Sequence, residues 1–373
     1  MSMDATSGPV SVYDRIEYID LLSIPNITEK EIATLLNHFD HPRRIFSTTT
    51  NELIQLGISK RLAQAVVGYR RSDELKRRIE AVEKRGVRVI LRGDDEYPDW
   101  LCEWTFPPPI LFLWGRIVPE DKDSIGIVGT RRATGYGRAV AELFATELAR
   151  AGLTIVSGLA RGIDSVAHKA ALKAGGRTIA FLGCGIDIYY PRENRRLYQE
   201  IAQTGAVISE FPLGAPPWKK NFIKRNRLIP AFSRALLAVE APEKSGVLNT
   251  VKWAVEMGKD VMVVPGSILS PRSTGTNRLL KDGAIPVTEP RDVLEYLRIP
   301  TLRERLEEVE LTEEEERLLE FIGGEPIHID ELSFTIGLSP AQLSPLLLSL
   351  EMKKMIKQLP GGCYIRSFRQ LCQ

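Results

Sequence analysis

The residues from Trp218 to Arg227 interleave five Lys and Arg side chains with a tryptophan and a phenylalanine. They lie in a longer window, residues 211–239, that holds six basic residues and no Asp or Glu. Cations bind backbone phosphates and aromatic rings stack on unpaired bases, so the pattern is typical of a site for single-stranded nucleic acid. A basic helix is also commonly just a solvated surface, but the length of the acid-free window favours binding. One face of such a helix would carry Lys219, Phe222 and Arg225 or Asn226.

A second candidate is the turn Gly129–Arg132, which ends an apolar run and precedes two further glycines, Gly135 and Gly137. Backbone N–H groups and a helix N-terminus at such a turn form a natural phosphate site. The turn matches neither the dinucleotide fingerprint G-x-G-x-x-G nor the P-loop G-x-x-x-x-G-K-[ST]. A tight turn with solvated arginines therefore stays open as the alternative.

Ser157, Asp164 and His168 follow the next apolar run and include the residue types of a hydrolytic triad. The nucleophile motif G-x-S-x-G is absent, however, and Asp164 is placed to cap a helix. An Asp–His pair four residues apart is commonly a local hydrogen bond. We therefore expect no triad, and we expect Arg161 to face the ligand-binding end of the sheet.

Short apolar runs bounded by glycine alternate with amphipathic stretches over residues 110–298. This alternation indicates βαβ units and an α/β fold with a mainly parallel, doubly wound sheet. The predicted strands are Ser124–Gly129, Leu153–Ser157, Thr178–Gly183, Ala206–Ser209, Ala235–Glu240, Asp260–Val264 and Ile285–Val287. The predicted helices include Tyr136–Ala151, Ile163–Lys173, Val247–Met257 and Thr276–Asp282.

The carboxyl ends of parallel strands meet at one edge of a sheet, so the turns that follow them share one crevice. Lys244 and Asn277 lie in the turns after the fifth and sixth predicted strands. Each could add a cation or an amide to that crevice, and each could equally belong to a helix cap.

Smaller helical regions are predicted on both sides of the sheet. The segments 22–28 and 56–59 resemble the short turns of SAM or helix-hairpin-helix domains. The C-terminal region has the pattern of a winged helix, whose third helix is predicted to begin at Ser344 because Pro345 belongs in a first turn. The other elements predicted there are helices at Thr312–Ile322 and Ile329–Ile336 and a hairpin turn at Pro360–Gly362. The predicted domains are residues 10–85 (helical), 86–300 (sheet), 301–310 (acidic linker) and 311–373 (winged helix).

The 373 residues carry 50 basic and 48 acidic side chains, with 43% hydrophobic residues, which is typical of a soluble protein of two or three domains. No apolar run approaches the ~18 residues of a membrane helix, and we expect a cytoplasmic protein that contacts no membrane. The four cysteines are far apart and form no C-x-x-C pair, so neither a disulfide framework nor a metal site is expected.

The motifs together resemble the DNA-processing protein A (DprA/Smf) family. The resemblance implies an extended Rossmann-like domain that binds single-stranded DNA, dimerises, and helps to load a RecA-type recombinase during natural transformation. It implies neither an enzymatic activity nor a cofactor. The motifs occur in order as Gly129-Thr-Arg131, Tyr136-Gly137, Ser157-Gly-Leu-Ala-Arg-Gly-Ile-Asp164, Tyr190-Pro191, Ser209-Glu-Phe-Pro212, Arg225-Asn-Arg227, Val239-Glu-Ala241, Lys244-Ser-Gly246, Val264-Pro-Gly266 and Gly275-Thr-Asn277.

The resemblance also assigns roles to particular residues. Arg131 would contact a phosphate beside the amides of Gly129 and Thr130, and Phe222 would be the stacking ring. Lys219 would be the cation ahead of the family's basic pair, Arg225 and Arg227. The complete expected DNA site is Gly129, Thr130, Arg131, Arg161, Lys219, Phe222, Arg225, Asn226, Arg227, Lys244 and Asn277.

Two other functions fit the sequence less well. Nucleotide hydrolases similar to the phosphoribohydrolases carry P-G-G-x-G-T-x-x-E, whose glutamate does the chemistry. Here Pro265-Gly266 is followed by a G-T only at Gly275-Thr276, with no glutamate three residues later. A transcription regulator would need cations on its winged helix, and residues 318–352 contain no Lys or Arg. The winged helix is therefore expected to contact protein.

Overall fold

A computed structural model of the chain describes residues 11–104, 107–299, 312–323, 326–353 and 355–366. The chain divides between residues 299 and 300 into two compact units. Among the described residues, no helix is long and apolar enough to cross a membrane.

The first unit contains the large sheet and the helices that cover it. Its helices are α1 (Ile16–Leu22), α2 (Glu29–His38), α3 (Pro42–Ser47), α4 (Thr50–Gln55), α5 (Lys60–Val67), α6 (Asp73–Glu83), α7 (Asp99–Cys102), α8 (Gly135–Arg150), α9 (Ile163–Lys173), α10 (Arg195–Thr204), α11 (Lys219–Arg225), α12 (Leu228–Phe232), α13 (Gly246–Glu256), α14 (Thr274–Lys281) and α15 (Pro290–Leu297). Its strands are β1 (Val87–Leu91), β2 (Ile110–Gly115), β3 (Ser124–Val128), β4 (Thr154–Ser157), β5 (Thr178–Phe181), β6 (Ala206–Ser209), β7 (Ala235–Ala238), β8 (Asp260–Val263) and β9 (Ile285–Pro286).

Within the described ranges, nine strands form one sheet in the order β1-β2-β6-β5-β4-β3-β7-β8-β9. Strands β3 to β9 are parallel to one another, whereas β2 is antiparallel to both β1 and β6. The chain moves outward from β3 through β4, β5 and β6 on one side and from β7 through β8 and β9 on the other. The strand order therefore reverses between β3 and β7, which is where open α/β sheets bind ligands. The predicted fold class is confirmed.

Helices cover both faces of the central strands, which explains why these strands are apolar throughout. Ile127 and Leu237 pack on one face with α8, α9 and α15, and Val128 and Val156 pack on the other with α12 and α13. The N-terminal helices share a third core with β1, β2 and α10, in which Leu35 and other helix residues join Phe112 and Tyr198. The predicted boundary between residues 85 and 86 lies inside this packed unit, and the domain boundaries stay predictions.

The second unit has a winged-helix arrangement. Its elements are α16 (Glu313–Phe321), β10 (Ile327–His328), α17 (Ile329–Ile336), α18 (Pro340–Met352), β11 (Ile356–Leu359) and β12 (Cys363–Arg366), with strand order β10-β12-β11. The predicted start of the third helix at Ser344 is wrong. Helix α18 begins four residues earlier because Pro340 takes the first helical position and the Gln342 side chain accepts a hydrogen bond from the Ser339 N–H.

A buried carboxylate ties two helices of this unit together. Glu315 on α16 accepts hydrogen bonds from Ser349 Oγ and Lys353 Nζ, both at 2.6 Å, and from the Thr312 N–H at 2.8 Å. Burial alone would raise the pKa of Glu315, but these donors and the lysine charge lower it from 4.5 to about 2. The ionised form is therefore the form that stabilises the fold.

We expect the winged helix to lose stability in acid through Glu315. Because the folded-state pKa is the lower one, the stabilisation is complete above about pH 4.5 and is lost as the pH falls toward 2, by roughly 3 kcal/mol. Thermal unfolding of the full chain should show this transition shifting downward over that range. Glu315→Gln should have a lower unfolding temperature that depends less on pH over this range. A pH dependence equal to that of the unmodified protein would contradict the assignment to Glu315.

Candidate nucleic-acid interface

A cleft of about 640 Å³ opens at the carboxyl ends of β3 and β7, where the strand order reverses. The turn after β3, helix α11 and the turn after β7 form its walls. We call it the basic cleft, and the side chains that give it its character are Arg131, Arg132, Lys219, Phe222 and Lys244. The structure thus brings residues more than 100 positions apart in sequence to one place.

The cations of the basic cleft are available to a ligand. Arg131, Arg132, Lys219 and Lys244 are all exposed. Across the described ranges, the ion pairs of the protein involve other side chains and leave these four without a carboxylate partner. The carboxyl group of Asp164 also lines the cavity, but it is buried and lies near Arg225. Four exposed positive groups without ion-pair partners around one cavity attract a polyanion.

Phe222 lies half-buried in the wall of the basic cleft. Its ring lies over the backbone of Gly183, where an added Cβ would be only 2.5 Å from Phe222 Cδ1. The guanidinium of Arg131 lies 5.0 Å from the ring centroid, and the ring of Tyr190 lies 5.4 Å away at an angle of 44°. The phenylalanine is therefore held beside a cation and a second ring.

Arg225 reaches the basic cleft but is only 2% exposed, so the structure corrects its expected role as an open cation. Its Nη1 donates to the carbonyl of Gly158 at 2.6 Å and to that of Phe181. Burial lowers the pKa of this guanidinium, and the nearby carboxylate of Asp164 opposes that effect. Arg225 thus joins the carboxyl ends of β4 and β5 and builds the floor of the cleft.

Arg227 lies outside the basic cleft, and its expected contact with phosphate does not fit this position. It is 4% exposed, and its guanidinium donates to both carboxylate oxygens of Glu210 at 2.7 Å and to Glu29 on α2 at 2.8 Å. Lys224 also pairs with Glu29 at 2.9 Å. Burial alone would raise the pKa of Glu29, but the hydrogen bond with Glu210 and the charges of Arg227 and Lys224 lower it to about 2. This charge cluster connects an N-terminal helix to the end of α11.

The remaining predicted residues divide between the rim and other roles. Asn226 lines the basic cleft, whereas the exposed Arg161 pairs with Glu193 and lines a small side pocket next to it. Asn277 accepts from the Gly266 N–H at 3.1 Å and donates to the Gly266 carbonyl at 2.9 Å. It therefore holds the loop after β8, in line with the structural alternative for this residue.

Glu240 is a residue that sequence reasoning did not single out. Its carboxylate accepts from the Thr134 N–H at 2.9 Å and from Thr134 Oγ1 at 2.8 Å, and a Cβ at Gly137 would lie 2.5 Å from Oε2. Its carbonyl accepts the Thr130 N–H at 2.7 Å. The chain thus places its own carboxylate at the first turn of α8 and engages the Thr130 N–H in an internal hydrogen bond, so that N–H is not open to a phosphate. The phosphate contacts expected of Gly129 and Arg131 stay predictions.

The hydroxyl and imidazole of the suspected triad have other partners. Ser157 Oγ donates to the Ile127 carbonyl at 2.6 Å, and His168 Nδ1 lies 2.6 Å from Thr178 Oγ1. The expected Asp164–His168 hydrogen bond is therefore replaced by one to Thr178. Burial lowers the pKa of His168 to about 3, so the ring is neutral near pH 7. In the part of the chain described here, no cluster of His, Cys, Asp or Glu could hold a metal ion.

Three residues of the cleft were missed from sequence. Arg132, Tyr190 and Arg272 all line it, and Arg272 Nη1 donates to the Arg132 carbonyl at 2.8 Å. Tyr190 lies within a motif of the family resemblance and Arg132 directly follows another, so these motifs could have pointed to both residues. Arg272 reaches the cleft from a loop whose course the sequence does not reveal.

Comparison with known proteins identifies relatives over most of the chain. The sequence is 37% identical over 332 residues to Protein Smf of Escherichia coli, covering 86% of this chain and 87% of that protein. The crystal structure of DNA processing protein A from Streptococcus pneumoniae superposes with a TM-score of 0.64 at 30% identity, covering 77% of this chain and 98% of that one. A Helicobacter pylori DNA processing protein A, whose structure concerns single-stranded DNA binding, superposes with a TM-score of 0.51 at 32% identity, covering 57% and 95%.

Family models match both units. The model for the DprA winged helix domain matches residues 304–362. The model for DNA recombination-mediator protein A matches residues 88–298, which include the large sheet and the basic cleft. The resemblance inferred from the ordered motifs is confirmed, and the chain belongs to the DNA recombination-mediator protein A family.

Proposed function

We propose that the protein binds single-stranded DNA in the basic cleft and acts as a recombination mediator. The observation that carries this proposal is the set of four exposed cations, without ion-pair partners among the described residues, that line one cleft together with the half-buried ring of Phe222. The Helicobacter pylori relative, described as binding single-stranded DNA, supports it.

Binding would use charge and stacking together. Arg131, Lys219 and Lys244 would contact backbone phosphates, and a base would stack on Phe222 beside the Arg131 guanidinium. Phosphate contacts carry no base information and every base has a flat face, so sequence preference should be low. Arg225 would keep the floor of the cleft in shape without offering an open charge.

The finer parts of the proposal follow from family membership. We propose that the protein helps to load a RecA-type recombinase on incoming DNA during natural transformation, in the cytoplasm and as a homodimer formed through the sheet domain. We also propose that it is not an enzyme. Residues 10–85, 86–300, 301–310 and 311–373 would be its helical domain, DNA-binding domain, acidic linker and winged helix.

A binding competition tests the proposal. The full chain should bind a labelled oligothymidylate more tightly than a duplex of equal length, and its affinity should fall steeply with salt because bound phosphates release counterions. A preference for the duplex would overturn the proposal. Base release from nucleoside monophosphates, measured in the same preparation, would instead support the hydrolase alternative.

The winged helix is expected to contribute little to DNA binding. Its described acidic residues include Glu320, Asp330, Glu331 and Glu351, and α17 and α18 carry no Lys or Arg. A duplex presents one negative charge per ~1.7 Å of axis, so repulsion should outweigh any base contact. Deleting residues 300–373 should leave the affinity for oligothymidylate within about twofold, a span of less than 0.5 kcal/mol. Duplex binding by the isolated fragment 311–373 at physiological salt would contradict this prediction.

A further inference from the structure

Tyr190 is an exposed ring at the edge of the basic cleft that the proposed function has not used. Its side chain lines both the cleft and the adjacent side pocket, and 37% of its surface is exposed. Its ring lies 5.4 Å from that of Phe222 at an angle of 44°. The two rings therefore form a continuous aromatic surface that leads from the cleft toward Arg161.

The backbone of Tyr190 is held in place by a buried hydroxyl. Tyr198 Oη donates to the Tyr190 carbonyl at 2.8 Å and accepts from the Tyr190 N–H at 3.1 Å. Tyr198 is fully buried, so this pair of hydrogen bonds fixes the backbone from which the exposed ring projects, and the ring itself lies beside that of Phe222. A ring ordered before binding loses less conformational entropy when a ligand stacks on it. In the described structure, no hydrogen bond engages the hydroxyl of Tyr190 itself.

The side pocket is too small to take a base inside. Its volume is about 40 Å³, against about 640 Å³ for the basic cleft. A base that follows the strand past Phe222 must therefore lie on the rim, and Tyr190 provides the ring there. Arg161 is paired with Glu193, and the other cation that lines the side pocket, Arg131, is shared with the basic cleft. The side pocket therefore adds no open cation of its own.

We propose that Tyr190 is a second base-stacking residue, which takes the nucleotide next to the one on Phe222. This inference rests on the proposed binding of single-stranded DNA. It adds the path of the bound strand over the surface, from the cations of the cleft across Phe222 to Tyr190. Stacking, rather than charge, holds the DNA at this end.

Substitutions at Tyr190 test the inference in the full chain. Tyr190→Ala should weaken oligothymidylate binding by about 5- to 150-fold, the range expected for one stacked base, without changing the slope of affinity against salt. Tyr190→Phe should retain most of the affinity because the ring remains. The matched control is Tyr13→Ala, which removes a tyrosine of similar exposure, 46%, that does not line the cleft; this variant should bind as the unmodified protein does.

Photocrosslinking of the unmodified chain provides a measurement independent of folding. An oligothymidylate with one 5-iodouracil should crosslink to a peptide that contains Tyr190 when the label lies next to the position that crosslinks to Phe222. The inference would be overturned, with the proposed function left standing, if Tyr190→Ala bound with the affinity of the unmodified protein. The same conclusion would follow if Phe222 were crosslinked but no crosslinked peptide contained Tyr190. If the unmodified chain does not bind oligothymidylate, the proposed function itself fails.

Discussion

The double substitution Arg131→Ala, Lys219→Ala is expected to weaken oligothymidylate binding by about 100-fold or more at low salt, because each charged hydrogen bond contributes roughly 1.5–3 kcal/mol. Both side chains are exposed and neither has a carboxylate partner among the described residues, so the fold should be unaffected. Each lost phosphate contact on a single strand should also reduce the logarithmic salt slope by about 0.7. Fluorescence anisotropy over a salt titration measures both quantities.

A matched control separates this effect from the overall change in charge. Lys169→Ala with Lys173→Ala removes the same two charges from exposed positions on α9, away from the basic cleft. This control should keep its salt slope and lose little affinity. If the two double variants behaved alike, the positive charge would act through the whole surface and the cleft would not be the binding site.

Arg227→Ala is expected to destabilise the first unit by up to about 3–5 kcal/mol, because it removes the nearer partner of the buried Glu210 carboxylate and leaves it Lys224 Nζ at 3.6 Å. The Glu210 side chain is 1% exposed and that of Arg227 is 5% exposed. Urea unfolding measures the loss. Protein that stays folded should keep the salt slope of oligothymidylate binding, because Arg227 faces away from the cleft.

An apolar replacement of the pair provides the control. Glu210→Leu with Arg227→Met should recover most of the lost stability, since a well-packed apolar pair often replaces a buried ion pair at little cost. The Lys224–Glu29 pair remains in this variant. If Arg227→Ala were as stable as the unmodified protein and had a reduced salt slope, this result would contradict the structural role and support the phosphate contact that the family resemblance implies.

The sequence predicted the central sheet well because a buried parallel strand has a strong local signal. Each of the strands β3 to β9 lies within one of the predicted apolar runs, and both faces of β3 are fully buried. Strand β2 was not among the predicted strands, and it directly follows three consecutive prolines, residues 107–109, that give no strand signal. Helix α18 tolerates Pro345 in its second turn, which the pattern alone disfavoured.

The candidate site was predicted less completely, because the sequence shows which side chains are charged but not which groups they pair with in the folded protein. Arg225 and Arg227 look like Lys219 in the sequence, yet both are buried and only Lys219 is open. The acid that pairs with Arg227 from α2 is 198 residues away, beyond the reach of any local pattern. Burial by distant segments therefore decided which cations line the cleft as open charges.

The carboxylate of Glu240 at the first turn of α8 also bears on the binding of free nucleotides. Folds of this class commonly hold a mononucleotide by its phosphates at that turn. Here the Glu240 carboxylate occupies that position, and the triphosphate of ATP or of a free deoxynucleotide would meet like charge. Monomers should therefore be poor competitors even in large excess. Under the proposed function, occupancy of the cleft would therefore follow the supply of single strands, whose successive phosphates can reach several of its cations at once, and not the concentration of free nucleotides.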